Sequence, residues 1–288
     1  MSTPVKHLTW SAGLAGHAAR IREHIVTMCA GPEGGHLGGS LSLVEVLTAL
    51  YFGVLRVDPA DPADPDRDIL LLSKGHGAVA LYATLAERGY LDPAELAGFG
   101  TWGSRLMAHP VRAVPGVELP TGSLGHGLAL GTGAALAARL SGRASRAYVV
   151  MGDGELQEGS VWESAMGAAA LRLDSLVAVV DRNGLQITGR TEDVCPLEPL
   201  AQRWRSFGWA VREVPGHDLD ALVSALRSAP WEPDRPSVLI ADTTKGAGLP
   251  FIAGTAHSHF AALTARQLAR ARSALAVHAA THPGGGRG

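Results

Sequence analysis

The chain alternates short, wholly apolar runs with longer stretches whose apolar residues recur every three or four positions. Ala147-Tyr148-Val149-Val150-Met151 and Leu176-Val177-Ala178-Val179-Val180 are of the first kind. Runs of that length, rich in β-branched residues and ended by Gly, Asp or Asn, predict parallel strands buried on both faces. Residues 209–214 and 237–242 predict two more strands, and Ile69-Leu70-Leu71-Leu72 a short buried segment. The helical kind begins at residues 9–30. There Leu14, Ala18, Ile21, Ile25 and Met28 form a stripe, His17, Arg20 and Glu23 fall away from it, and Gly31-Pro32 ends the helix. Leu43, Leu47 and Leu50 form the next helix face. A helix over 78–88 is closed by Gly89, and a short one lies near 93–97. The small residues Ala129, Gly131, Gly133, Ala134 and Ala135 predict a helix packed closely on its neighbours. Between the two apolar runs, Ser160 and Glu163 have capping-box spacing, with Trp162, Ala165, Met166 and Ala169 on one apolar face. Further helices are predicted over 198–206, 219–226 and 261–277. Residues 58–68, an acidic segment punctuated by proline, and 187–193 are predicted surface loops. Strands alternating with helices predict an α/β domain, a mainly parallel sheet with helices on both faces. That domain is expected over residues 1–277, with 278–288 a disordered tail.

Chemistry enters where the apolar runs end. Gly152-Asp153-Gly154 and Asn183 stand at the carboxyl ends of two strands of one βαβ unit. Open α/β sheets bind ligands at that edge. A carboxylate and an amide there suit a hard cation such as Mg²⁺, which takes few protein ligands and completes its octahedron with phosphate oxygens and water. Gly34-Gly35-His36-Leu37-Gly38-Gly39 sets one histidine among glycines that let backbone approach a ligand closely. Ser73-Lys74-Gly75-His76, Met107-Ala108-His109-Pro110 and His257-Ser258-His259-Phe260 carry further histidines. Taken singly, each word also fits an ordinary loop or helix start, with Ser73 as a cap.

Together these words resemble transketolases, in particular the amino-terminal chain of split transketolases. Asn183 follows Asp153 by thirty positions, and GDGELQEGSVWESAM and VDRNGLQITGRTEDV are the surrounding segments. The resemblance extends to Thr121-Gly122-Ser123-Leu124-Gly125-His126-Gly127 and to Thr243-Thr244-Lys245-Gly246-Ala247-Gly248. It implies a thiamin diphosphate-binding fold, specifically the diphosphate-binding domain. It implies thiamin diphosphate anchored by Mg²⁺, or Ca²⁺ or Mn²⁺ in its place, on Asp153, Asn183 and the Leu185 carbonyl. It implies cofactor contacts from His76, Gly122, Ser123, Leu124, Gly152, Gly154, Glu155 and Lys245. His36, His76, His109 and His259 become the candidate proton donors and acceptors, with His257 the fallback for His259, and Glu158 the glutamate across the subunit contact. Two departures stand out: His126 replaces the family's usual glutamine, and Phe260 its usual glycine.

The resemblance also implies a partner. Transketolases draw a second carboxylate and a stacking aromatic residue from a pyrimidine-binding domain, for which nothing after Lys245 provides sequence. The expected assembly is an α₂β₂ heterotetramer with a carboxy-terminal partner chain, and the expected substrates are sugars or sugar phosphates.

Composition narrows the field. The formal charge is −2, which gives no basic field for nucleic acid. No apolar stretch is long enough for a membrane helix or a signal peptide. Cys29 and Cys195 are the only cysteines, which suits a reducing, cytoplasmic setting. Other thiamin diphosphate enzymes, a 2-oxo acid dehydrogenase component or a deoxyxylulose-phosphate synthase, share the metal motif, but the histidine words favour transketolase. A nicotinamide dehydrogenase would need a strand leading directly into Gly125-His126-Gly127, and none does. A scaffold without chemistry is disfavoured by the intact Asp153, Asn183 and histidines.

Overall fold

The computed structural model describes residues 11–31 and 33–281. In chain order the elements are α1 (Ser11–Met28), α2 (Leu37–Leu41), α3 (Val44–Ala49), β1 (Ile69–Leu72), α4 (Ala78–Arg88), α5 (Gly127–Leu140), β2 (Ala147–Gly152), α6 (Gly159–Ala170) and β3 (Leu176–Arg182). There follow β4 (Leu185–Gln186), β5 (Gly189–Arg190), α7 (Thr191–Val194), α8 (Leu200–Ser206), β6 (Ala210–Pro215), α9 (Leu219–Arg227), β7 (Ser237–Asp242) and α10 (Ala265–Thr281).

Five strands form one sheet in the order β1-β2-β3-β7-β6, every pair parallel. The side-chain alternation of a strand sorts its residues between two cores. Tyr148, Val150, Val177 and Val179 face α1, α3, α4 and α9. Val149, Met151, Ala178 and Val180 face α5, α6 and α8. Both sides of the sheet are covered, so the strands read as continuous apolar runs rather than alternating ones. The expected α/β class and the helices on both faces are therefore observed. Every carboxyl end lies at one edge, where Ser73, Asp153, Asn183 and Thr243 follow β1, β2, β3 and β7.

Several local expectations are corrected. The helix after β2 does not start on a Ser160 capping box. Glu158 is its N-cap residue, and no side chain caps it. Ser160 instead donates to the Gly125 carbonyl at 2.9 Å. The buried face of α6 is Val161, Ala165 and Ala168, while Met166 is 54% exposed. Segment 187–193 is partly ordered, as β5, which pairs antiparallel with β4 just before the segment, and as the start of α7. Ser73 does not cap the helix that follows it; its hydroxyl is engaged by Glu155 and by the N–H of Gly127, the first residue of α5. Helix α10 continues to Thr281, so residues 278–281 belong to it rather than to a tail. The remainder of the expected tail, residues 282–288, lies outside the described residues.

The small residues of α5 do pack closely. A Cβ on Gly131 would lie 2.3 Å from Val149 Cγ2, whereas one on Gly133 would meet nothing within 4 Å. Gly131→Ala should therefore destabilise the chain by about 1–3 kcal/mol through overpacking. Gly133→Ala should stabilise it by about 0.5–1 kcal/mol, because glycine is a poor residue in a helix interior. Urea unfolding of both variants checks this, and opposite signs are the expected outcome.

Candidate functional site

Two buried carboxylates bring the strand ends together. Asp181, at the end of β3, accepts from Ser42 Oγ at 2.7 Å, from Lys74 Nζ at 2.5 Å, from Thr243 Oγ1, and from Asn183 Nδ2 at 3.3 Å. Burial pushes its carboxyl up, but Lys74 and the hydroxyl donors outweigh that and hold it below the usual carboxylate range. Glu155, just past β2, accepts from Ser73 Oγ, from the Gly125 N–H at 2.9 Å and from the Gly152 N–H at 3.1 Å. It thereby pins the glycine-rich turn 121–127 against the exits of β1 and β2. That turn needs its glycines. Gly125 has φ +83°, and a Cβ there would lie 2.7 Å from Glu158 Cβ. A Cβ on Gly127 would lie 2.3 Å from Ser73 Cβ.

The cavity over this edge has a volume of about 320 Å³. On one side stand Asp153, Asn183 and Leu185. Asp153 Oδ2 accepts from the Gly184 N–H at 2.6 Å and from Arg182 Nη1 at 3.1 Å, while Oδ1 accepts from the Gly154 N–H at 2.8 Å. Burial and then the Asp181 charge nevertheless push the Asp153 carboxyl up from its usual range. Asn183 Oδ1 accepts from the Leu185 N–H at 3.1 Å, which aligns the amide beside the Leu185 backbone. These hard oxygens fit Mg²⁺, Ca²⁺ or Mn²⁺.

Beside them stand two ammonium groups. Lys74 is neutralised by Asp181, but Lys245 is 3% exposed and makes no ion pair among the described residues. Its Nζ lies 3.4 Å from His259 Nδ1. Burial, then Lys74, lowers its pKa. A buried cation facing a cavity without a counter-ion is costly unless an anionic ligand joins it.

The far side is a histidine cluster. The ring centroid of His36 lies 4.8 Å from His76, 5.6 Å from His109 and 5.3 Å from His259. His76 and His109 are 5.0 Å apart. Burial, followed by the neighbouring histidines and Lys245, brings His36 down to about 3. Burial and Lys245 bring His259 to about 4, and His76 is lowered by burial and His109. At neutral pH these imidazoles are uncharged and can both donate and accept. Ring nitrogens of His36, His76 and His259 all lie within 4.8 Å of one another, close enough to hold a transition-metal ion, whose charge Lys245 would oppose. Phe260 stands edge-on to His36, centroids 5.2 Å apart, so the departure from glycine here supplies a wall to the cluster.

Comparison with known proteins places this geometry. Residues 16–282 match the family described as "Transketolase, thiamine diphosphate binding domain". The chain belongs to the transketolase family. It is 48% identical over 245 residues to an apulose-4-phosphate transketolase subunit of Actinobacillus succinogenes, covering 84% of this chain and 88% of that one. It is 45% identical over 231 residues to the 6-deoxy-6-sulfo-D-fructose transketolase subunit SqwG of Clostridium sp., covering 80% and 84%. The solved transketolase of Pichia stipitis in complex with sedoheptulose-7-phosphate superposes with a TM-score of 0.86 at 33% identity, over 92% of this chain. This chain spans only 41% of that one. The chain is thus the thiamin diphosphate-binding, amino-terminal part of a transketolase, and it has the fold of solved transketolases.

Most of the residues expected from the transketolase resemblance meet in one cavity. His36, His76, Leu124, Gly152, Asp153, Gly154, Glu155, Glu158, Asn183, Leu185, Lys245 and His259 line it. His109 stands behind His36 and His76, and a Cβ on Gly122 would touch its ring at 3.2 Å. Ser123 is exposed and outside the lining. Glu155 has its oxygens already engaged by the protein. His126 is exposed, its Nδ1 3.0 Å from the Leu124 carbonyl, and belongs to the turn rather than the cavity. The backbone of His257 lies in a short 3₁₀ turn at 256–258, but its side chain is outside the described set; His259 is the histidine seen in the cluster.

Sequence reasoning gives no role to Lys74, Asp181, Gln157 or Gln186. Gln157 and Gln186 line the cavity and bond to each other at 2.8 Å. Lys74 is visible inside the Ser-Lys-Gly-His word and Asp181 at the strand end, but nothing local signals that they pair across 107 positions.

The histidine cluster makes stability depend on pH. His36 and His259 are depressed in the folded chain below the free imidazole value of about 6.5, so the unfolded chain binds more protons. Their contribution is complete above about pH 6.5 and is lost as pH falls toward 4. A double variant, His36→Asn with His259→Asn, should show a shallower fall in melting temperature between those pH values than the parent. Parallel curves would count against the cluster as described.

Proposed function

We propose that this chain is the diphosphate- and Mg²⁺-binding subunit of a thiamin diphosphate-dependent transketolase. In this reading it moves a two-carbon ketol unit from a ketose to an aldose, together with a carboxy-terminal chain that carries the pyrimidine-binding domain. The observation that carries the reading is the buried Lys245 ammonium, without an ion pair among the described residues, beside the hard oxygens of Asp153, Asn183 and Leu185. An anion bridged by a divalent cation satisfies both sets of groups at once. A diphosphate with Mg²⁺ is such a ligand.

In this assignment Asp153 and Asn183 side chains and the Leu185 carbonyl hold the cation. Lys245, the Gly154 N–H and the turn 122–124 surround the diphosphate, and His76 closes the cavity toward the reacting end. When bound, thiamin diphosphate supplies the nucleophilic carbon and the electron sink for carbon–carbon cleavage. The chain's own part is to orient the sugar and to move protons. His36, His76 and His259, held neutral by burial, suit hydroxyl groups, since each offers one donor and one acceptor nitrogen, and His109 stands beside them. General acid–base help of this kind typically contributes about 10²–10⁴-fold.

The names of the relatives favour a ketose bearing an anionic group, as in apulose-4-phosphate and 6-deoxy-6-sulfo-D-fructose. Their designation as subunits supports a second chain, and an α₂β₂ assembly would give two equivalent sites. In this reading Glu158, exposed at the cavity rim and at the N-terminus of α6, meets another chain. Free Cys29 and Cys195 accord with a cytoplasmic location.

Asp153→Ala and Asn183→Ala should each abolish Mg²⁺-dependent thiamin diphosphate binding, read by calorimetry with the second chain present. Unchanged affinity in both would sink the assignment. His76→Ala and His109→Ala should lower turnover by about 10²-fold or more while leaving cofactor affinity within a few-fold. The chain alone should show no ketol transfer and should gain it on mixing with its second chain, with a heterotetrameric mass.

A further inference from the structure

Strands β6 and β7 leave the sheet side by side, and the two loops that follow them are joined. The Gly216 N–H donates to the Asp242 carbonyl at 2.6 Å. The next residue, His217, faces the turn that carries Lys245. The Thr244 backbone N–H donates to His217 Nε2 at 2.8 Å. An amide N–H can only donate, so Nε2 is the unprotonated nitrogen and Nδ1 bears the proton. Nδ1 lies 2.8 Å from Glu45 Oε2 and donates to it. Glu45, in α3, is buried and held at both oxygens by the buried Arg22 of α1, with Nη1 2.6 Å from Oε1 and Nη2 2.9 Å from Oε2. Against the upward push of burial, Arg22 and then His217 bring the Glu45 carboxyl down to about 2. Glu45 is therefore charged across the working pH range and fixes the tautomer of His217.

This chain of contacts ends one residue from Lys245. On either side the turn is tied independently, by Thr243 Oγ1 to Asp181 and by the Gly246 N–H to the Gly38 carbonyl at 2.9 Å. Those ties fix its ends. The Lys245 carbonyl accepts from the Gly254 N–H at 2.8 Å; among the described residues, His217 alone receives the N–H of Thr244, the residue preceding Lys245, whose ammonium makes no ion pair there. None of Arg22, Glu45 and His217 lines the cavity in which Lys245 stands.

We propose that His217 is a positioning residue: through the Thr244 peptide, and braced by Glu45 and Arg22, it sets the Lys245 ammonium toward the anionic ligand of the cavity. The proposal rests on the reading of Lys245 as a diphosphate contact. It assigns the Gly216-His217-Asp218 loop a part in cofactor affinity although it touches no ligand.

The test separates the two nitrogens of the ring. His217→Gln carries an amide to about the reach of Nε2, so it can still accept from Thr244. His217→Asn reaches only as far as Nδ1 and keeps the Glu45 contact alone. Thiamin diphosphate affinity is measured with Mg²⁺ in the assembled two-chain enzyme, and hydrogen exchange is followed in the peptide spanning Thr244. His217→Asn should weaken affinity by about 10- to 100-fold, as loss of an outer support does at a metal site, and should speed exchange at Thr244. His217→Gln should stay within about fivefold of the parent, the worth of one ordinary hydrogen bond. The double variant His217→Asn with Lys245→Met should bind no more weakly than Lys245→Met alone. Equal behaviour of the Asn and Gln variants, or additive losses in the double variant, overturns the positioning role. Unchanged affinity in Lys245→Met overturns the reading of the cavity itself, and the positioning role with it. Unchanged affinity in His217→Asn beside lost affinity in Lys245→Met overturns the positioning role alone.

Discussion

A single fully buried carboxylate, Asp181, ties the site to the fold. It sits on the central strand, paired with Gly152 of β2 on one side and Ala241 of β7 on the other. Its donors come from the α2–α3 junction, the exit of β1, the exit of β7 and its own strand end. Four segments far apart in sequence are therefore fixed relative to one group. Leaving such a charge buried without its partner costs on the order of 3–5 kcal/mol. Lys74 thus cannot leave to serve a ligand, and the ammonium free to do so is Lys245. Asp181 also disfavours ionisation of nearby Asp153, and a divalent cation between that carboxylate and an anion would relieve the repulsion.

Glu155 performs the same task for the glycine-rich turn. Its three donors lie in β1's exit, β2's exit and the turn itself. The acidic groups around the cavity therefore divide by role. Asp181 and Glu155 are spent on internal donors and hold loops. Asp153 also has three internal donors, the Gly154 and Gly184 N–H groups and Arg182, but it stands in the cavity lining beside Asn183 and Leu185. Motif letters alone do not make this division: Asp153 and Glu155 are two residues apart in one word, yet their partners give them different work.

How much can be read from sequence follows from the range of the interactions. The strands, the covered sheet and the corner where Asp153 meets Asn183 are local or governed by burial, so the apolar runs and the Gly-Asp-Gly and Asn words suffice. The four histidine words can be recognised singly, and the resemblance brings them together. Errors arise where a local rule meets a stronger distant partner. Ser160 satisfies capping-box spacing, but the Gly125 carbonyl claims its hydroxyl. Ser73 has the local setting of a helix cap, but Glu155 and Gly127 engage it. Met166 keeps helical periodicity with Trp162 and Ala169, yet it faces outward because Val161, Ala165 and Ala168 meet the sheet. Pairing of Lys74 with Asp181, and of His217 with Glu45 across 172 positions, has no local signature at all.

The cavity is polarised along its length, and the polarity follows from how each end is built. Around Asp153, Asn183 and Lys245 the groups are formally charged or strongly dipolar and stand on strand exits, so they are held firmly. At the other end the side chains are imidazoles from four separate segments, and burial together with the neighbouring positive groups keeps His36, His76 and His259 uncharged at neutral pH. An end that resists charging cannot bind its ligand through ion pairs. Such an end suits neutral hydroxyl and carbonyl groups, which imidazoles can meet by hydrogen bonds. Lys245 stands at the boundary, 3.4 Å from His259 Nδ1. There its charge does two things at once: it attracts an anion on one side and depresses the imidazole on the other. Moving that ammonium would alter the field at both ends together, so the position of a single lysine couples the strand-exit end of the cavity to the protonation of its histidine end.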